Sequence, residues 1–118
     1  MQVPVSGVER SSDAGAWAVL ALFGEIDLSV VPQVREAVDE LVSGDRVKLV
    51  WDLAGVSFMD SAGLGVLVYT MRSVEASGGS VRLAGADAQV RRMLELTGLD
   101  TVIEGYPDVA SAAGRPTG

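Results

Sequence analysis

Val47-Lys48-Leu49-Val50-Trp51-Asp52-Leu53, followed by the turn Phe58-Met59-Asp60-Ser61-Ala62-Gly63-Leu64-Gly65, is the stretch on which the fold of this chain turns. The first run is short, apolar and rich in branched side chains, the pattern of a buried strand. Beyond the turn, Leu64, Leu67, Val68, Met71 and Val74 recur at the three-and-four spacing of one helix face. A strand therefore passes into a helix through Asp60-Ser61, and Asp60 or Ser61 is the N-cap. Ser61 then stands at the positive end of the helix dipole, where free backbone N–H groups favour added negative charge. Gly63 and Gly65 fall in the first turn of an otherwise strong helix, each costing about 1 kcal/mol relative to alanine. Two readings stay open: a partner approaches the backbone closely there, or helix and sheet pack tightly.

Upstream, Val3, Val5 and Val8 alternate weakly before the polar Glu9-Arg10-Ser11-Ser12-Asp13, and residues 16–23 form another apolar run. An edge strand, a turn or loop over the polar residues and a second strand, the two strands forming a hairpin, account for them. Gly24-Glu25-Ile26-Asp27 reads as the loop that ends the second strand. Residues 30–42 carry the stripe Val31, Val34, Val38, Leu41 and Val42, with Pro32 in the first helical turn and Gly44 as a stop. The Ser61 helix ends near Ser77-Gly78-Gly79, and residues 80–84 form a short strand. Asp87 opens a helix with Val90, Met93, Leu94 and Thr97 on one face and Gly98 at its end. Residues 101–104 read as a last strand, 107–113 as a short helix and 114–118 as a frayed tail. The order predicts one α/β domain over residues 3–113. Its mixed sheet is mostly parallel with an antiparallel N-terminal hairpin, and helices pack on it.

Composition narrows the chemistry. A chain of 118 residues is long enough for one domain with a real core. Its net charge of −7 argues against a nucleic-acid footprint and against docking on an anionic membrane. The longest apolar run, residues 14–24, falls far short of the ~20 residues of a spanning helix, and no secretory signal pattern is present. With no cysteine there is no disulfide framework, and a cytoplasmic location is expected. The lack of histidine and cysteine removes Ser-His-Asp and Cys-His catalysis and thiolate or imidazole zinc sites. The single lysine, Lys48, lies within the central strand, far along the chain from Ser61. Gly63-Leu64-Gly65 is not a dinucleotide fingerprint, because Val68 stands where the third glycine belongs. No Gly-Lys-Ser/Thr exists, and Met59 occupies the place of the glycine in a hydrolase nucleophile elbow. Neither a cofactor nor a metal centre is expected, and what remains is thin chemistry for an enzyme.

Asp27 and Asp60 both lie just past strand ends, so they converge on one edge of the sheet near Ser61. Such a pair can hold a divalent cation or position a serine for phosphorylation. Alternatively, each acid simply caps its helix, worth about 1 kcal/mol. Arg91 and Arg92 read as a solvated face.

The combination of Gly24-Glu25-Ile26-Asp27 with Val56-Ser57-Phe58-Met59-Asp60-Ser61-Ala62-Gly63-Leu64-Gly65-Val66-Leu67 resembles the two signature stretches of bacterial anti-sigma factor antagonists, the STAS domain family. The resemblance continues through Ser77-Gly78-Gly79 and Met93-Leu94-Glu95-Leu96-Thr97-Gly98-Leu99, covering residues 3–113. It implies partner switching. The unmodified antagonist binds an anti-sigma factor that is also a serine kinase, and so frees a sigma factor. That kinase, with ATP and magnesium, phosphorylates the Asp-Ser motif and releases the antagonist, and a PP2C-type phosphatase restores it. By this match Ser61 is the phosphoacceptor, Asp60 its neighbour at the kinase interface and Asp27 a second contact. Met59, Gly63, Leu64 and Gly65 would form the apolar, close-approach part of the docking surface. Many members carry a second hydroxyl after the first serine; here Ala62 leaves Ser61 as the only hydroxyl of the turn. A STAS scaffold or ligand-sensing module that is never phosphorylated is the alternative.

Overall fold

The computed structural model describes residues 6–116, so Val3 and Val5 of the expected edge strand and Thr117 and Gly118 of the tail lie outside it. Five strands stand in sequence order across one sheet: β1 (Gly7–Arg10), β2 (Ala18–Ile26), β3 (Lys48–Met59), β4 (Ser80–Ala84) and β5 (Gly105–Tyr106). β1 is antiparallel to β2, and the remaining pairs are parallel. The expected hairpin and mixed sheet are therefore present. The helices are α1 (Val31–Ser43), α2 (Ser61–Glu75), α3 (Ala88–Thr97) and α4 (Val109–Gly114).

Strands that advance in one direction, joined by right-handed crossovers, must place all their helices on one face. The main core bears this out. Leu20 and Leu22 of β2, Leu49, Trp51 and Leu53 of β3, and Leu83 of β4 pack with Val34 and Val38 of α1, Leu67 and Val74 of α2, and Val90 and Leu94 of α3. Among the described residues, α4 is the helix on the opposite face, where Ala112 meets Trp17, Val19, Val50 and Ala84. Buried among them, Arg82 of β4 is 4% exposed, and its guanidinium lies 4.3 Å from the Trp17 ring centre. It donates to the carbonyls of Ala112 (2.7 Å), Arg115 (2.8 Å) and Pro116 (3.1 Å). A cation withdrawn from water is tolerable only with such partners. Two of these acceptors, Arg115 and Pro116, lie just past α4, so Arg82 ties the chain beyond that helix to β4.

Three further expectations change. Glu9 and Arg10, expected in a turn, belong to β1, paired with Ala21 and Leu20. Gly24, Glu25 and Ile26, expected as a loop, are strand, because β3 runs on to Met59 and supplies Val56, Phe58 and Met59 as parallel partners. The last strand is not residues 101–104. Leu99–Thr101 form a 3₁₀ turn closed by the Thr101 hydroxyl on the Gly98 carbonyl (2.7 Å), which delays pairing with β4 until Gly105.

Candidate functional site

The site lies where β2 and β3 end side by side. Ile26 pairs with Met59, and the ladder runs one step further as the Asp60 N–H donates to the Ile26 carbonyl (3.2 Å). This bond sets Asp27 and Asp60 at neighbouring positions on the same sheet end, as the sequence led us to expect. Asp60 is extended (φ −111°, ψ −169°), the ordinary N-cap geometry, and its carboxylate accepts from the Ala62 N–H at 2.9 Å. α2 therefore begins at Ser61, which is exposed at its first position. Asp60, rather than Ser61, is the cap.

Asp27 is not a helix cap, which corrects one of its two readings. Its carboxylate accepts from the Ser29 N–H (3.0 Å) and the Ser29 hydroxyl (2.6 Å), while α1 begins two residues later with Val30 in helical geometry and no side-chain cap. The Ser29 hydroxyl, and then its backbone N–H, hold the Asp27 carboxyl below the usual carboxylate value.

Three residues expected on the docking surface face inward instead. Met59 is 1% exposed, and Leu64 and Gly63 are buried with it. A Cβ on Gly63 would meet the Met59 side chain and, at 3.2 Å, the Ile26 Cγ2. Gly63 is a packing glycine, which settles the open choice in favour of close helix–sheet contact at that position. Gly65 differs: it is exposed, and a Cβ there would meet nothing within 4 Å. The two glycines, two residues apart, thus face opposite ways.

What the sequence reading missed is apolar and outward. Leu28 is 75% exposed beside Asp27, and Phe58 is 44% exposed, two residues before Asp60. The burial pattern explains Phe58. Inward positions along β3 step by two at Leu49, Trp51 and Leu53 and then by three to Val56 and Met59. Each three-residue step matches a register shift against β2. The bulges turn Met59 in and Phe58 out. Leu28, an apolar residue inside an Asp-x-Ser turn, was the available signal. A second omission is Gln89 of α3, whose side-chain amide accepts from the Met59 N–H (3.1 Å) and donates to the Met59 carbonyl (2.8 Å).

Among the described residues no group of three or more Asp, Glu, His or Cys side chains could hold a metal ion. A cavity of about 350 Å³ lies under α3, lined by Leu83, Leu94, Ile103 and Tyr106, and includes none of Asp27, Asp60 and Ser61. No helix among the described residues is long and apolar enough to cross a membrane. What this sheet end offers is an exposed hydroxyl at a helix start, two carboxylates and two bare apolar side chains, with a solid floor beneath.

Residues 8–112 match the profile of the STAS domain. The chain belongs to the STAS domain family. Among curated STAS relatives, an anti-sigma-B factor antagonist of Listeria monocytogenes is 38% identical over 104 residues, 88% of this chain and 89% of its own. The solved structure of an anti-sigma factor antagonist from Mycobacterium paratuberculosis superposes with a TM-score of 0.81 at 29% identity, covering 97% of each chain. The phosphorylated form of SpoIIAA, a Bacillus cell-fate determinant, superposes with a TM-score of 0.73 at 26% identity, covering 92% of this chain and 97% of that one. These neighbours share the single α/β STAS architecture.

Proposed function

We propose that this STAS protein is a cytoplasmic anti-sigma factor antagonist that binds an anti-sigma factor with serine kinase activity, frees a sigma factor, and is switched off by phosphorylation at Ser61. It acts as a binding protein rather than an enzyme, and a PP2C-type phosphatase reverses the modification. The observation that carries this reading is the exposure of Ser61 at the first position of α2, next to the Asp60 cap and one strand away from Asp27. A related chain of the same fold exists in a phosphorylated form, which supports the same chemistry here.

The docking surface combines Ser61 with Asp27, Asp60, the open backbone at Gly65 and the exposed Leu28 and Phe58. Met59, Gly63 and Leu64 contribute from beneath by fixing the position of this turn. A phosphate on Ser61 adds about −1.5 to −2 charges at neutral pH, which the start of a helix accommodates without unfolding. In an interface, the same dianion is desolvated beside a carboxylate. A loss of about 3–5 kcal/mol weakens binding by two to three decades or more, a scale that local electrostatics reaches without a large conformational change.

The test is recovery of the native partner on the wild-type chain, followed by intact mass with and without ATP and magnesium. The expected result is a gain of about 80 Da on the antagonist, lost in Ser61→Ala, and dissociation of the complex. Ser61→Asp should weaken binding at least about a hundredfold. A complex indifferent to ATP and to Ser61→Asp would leave an unphosphorylated STAS scaffold in place of the switch.

A further inference from the structure

Gln89 stands on α3, outside both signature stretches, yet it holds the backbone just ahead of the Asp60-Ser61 turn. β4 accompanies β3 only as far as the pairing of Asp52 with Ala84. Beyond that point the β4 side of β3 has no strand to bond to, and buried backbone groups must find other partners. At Met59, which is 1% exposed, the Gln89 side chain supplies both. Its Oε1 accepts from the Met59 N–H at 3.1 Å, and its Nε2 donates to the Met59 carbonyl at 2.8 Å. A primary amide is well suited to this, since it presents one acceptor and donors at the spacing of a peptide group. The same Nε2 lies 2.9 Å from the Met93 Sδ, one turn along α3. α3 is itself anchored by its Asp87 cap and by the buried Val90 and Leu94. On the other side, Met59 is flanked by Ile26 of β2.

We infer that Gln89 is a positioning residue for Ser61: it ties α3 to the end of β3 and so fixes where the hydroxyl is presented. Without it, the Met59 N–H and carbonyl lose these partners, and the Asp60 cap and the first turn of α2 pivot on a looser strand end. The inference rests on Ser61 being the phosphoacceptor proposed above, and its test separates the two claims.

Gln89→Glu preserves size and shape. Near neutral pH the new carboxylate still accepts from the Met59 N–H but turns an anionic oxygen on the Met59 carbonyl, whereas the protonated acid regains a donor. The nearest charged groups along the chain are Asp87, Arg91 and Arg92 on α3 and Asp60 past Met59; none is altered. Amide hydrogen exchange, read by NMR on the whole chain, should show protection at Met59, Asp60 and Ala62 reduced about tenfold or more near pH 7.5 in Gln89→Glu and in Gln89→Ala. Amides of α1 and β4 should change far less. Lowering the pH to about 4, just below the ordinary glutamic acid value of about 4.3, should restore protection in Gln89→Glu, relative to wild type at the same pH, and not in Gln89→Ala. Wild-type protection in both variants, a uniform loss over the whole domain, or no recovery of Gln89→Glu in acid would each overturn the inference.

With the kinase recovered on the wild-type chain, Gln89→Glu should lower kcat for Ser61 about tenfold and leave KM nearly unchanged, because the exposed docking residues are intact. An unaltered kcat overturns the positioning role. Should wild type accept no phosphate, the phosphorylation reading fails, and the exchange measurements decide the role of Gln89 without it.

Discussion

The turns that follow β2 and β3 start alike and then part. In each, a buried residue ends the strand (Ile26 or Met59) and an aspartate follows whose carboxylate accepts the N–H two residues on, at 3.0 Å from Ser29 and 2.9 Å from Ala62. After Asp60 the helix begins at once, so the neighbouring serine occupies its first position. After Asp27 the chain runs on through Leu28 and Ser29 before α1 begins at Val31, and the Ser29 hydroxyl is engaged by the aspartate at 2.6 Å. One serine is committed to its own turn; the other is displayed at a helix mouth. Identical Asx chemistry thus builds a brace in one place and a presented hydroxyl in the other, and the difference lies in how soon the helix starts.

The largest test of that contrast is Met59→Ala, which removes the floor under the β3 turn. It should cost about 2–5 kcal/mol in urea unfolding, as other buried methionine truncations do. A smaller loss would mean that the turn does not depend on its inward face. The glycine pair sharpens the point, because the two alanine substitutions should move stability in opposite directions. Gly63→Ala should destabilise by about 1–3 kcal/mol through overpacking against Met59 and Ile26. Gly65→Ala should stabilise the free protein by about 0.5–1 kcal/mol through helix propensity, and weaken binding if a partner lies against that backbone. The aspartates come next. Asp60→Ala should cost about 1 kcal/mol as a lost N-cap, and Asp27→Ala distinctly less, because α1 has no side-chain cap to lose. Equal losses would erase the distinction between the two turns.

The smallest effect is acid sensitivity. The Asp27 carboxyl lies below its ordinary 3.8 because the Ser29 hydroxyl and then its N–H favour the charged form. A folded value lowered in this way contributes stability above the unfolded value, and that contribution is lost as pH falls through the folded one. The stability difference between wild type and Asp27→Asn should therefore close below about pH 3.8. Asp13, held down by Arg46 and Arg10, and Asp108, held down by the Ser111 hydroxyl, carry the same sign.

Much was legible in the primary structure because it is local. Branched apolar runs, three-and-four stripes, the caps Asp60 and Asp87 and the left-handed Gly98 identify most elements from a few neighbouring residues. The same local pattern, strand then Asp-Ser then helix, located the candidate site and its likeness to the STAS family. What it could not convey is which way each side chain faces. Period-two alternation fails at the two bulges of β3, and a bulge is a relation between β3 and a strand some thirty residues earlier. Hence Met59 turned inward and Phe58, its neighbour, outward. Gln89 and Arg82 stayed hidden for a kindred reason. The backbone groups they satisfy lie about thirty residues away along the chain, and no pattern within α3 or β4 announces them. Element type follows from short-range spacing and capping; facing, depth and long-range hydrogen-bond partners follow from how distant segments come into register.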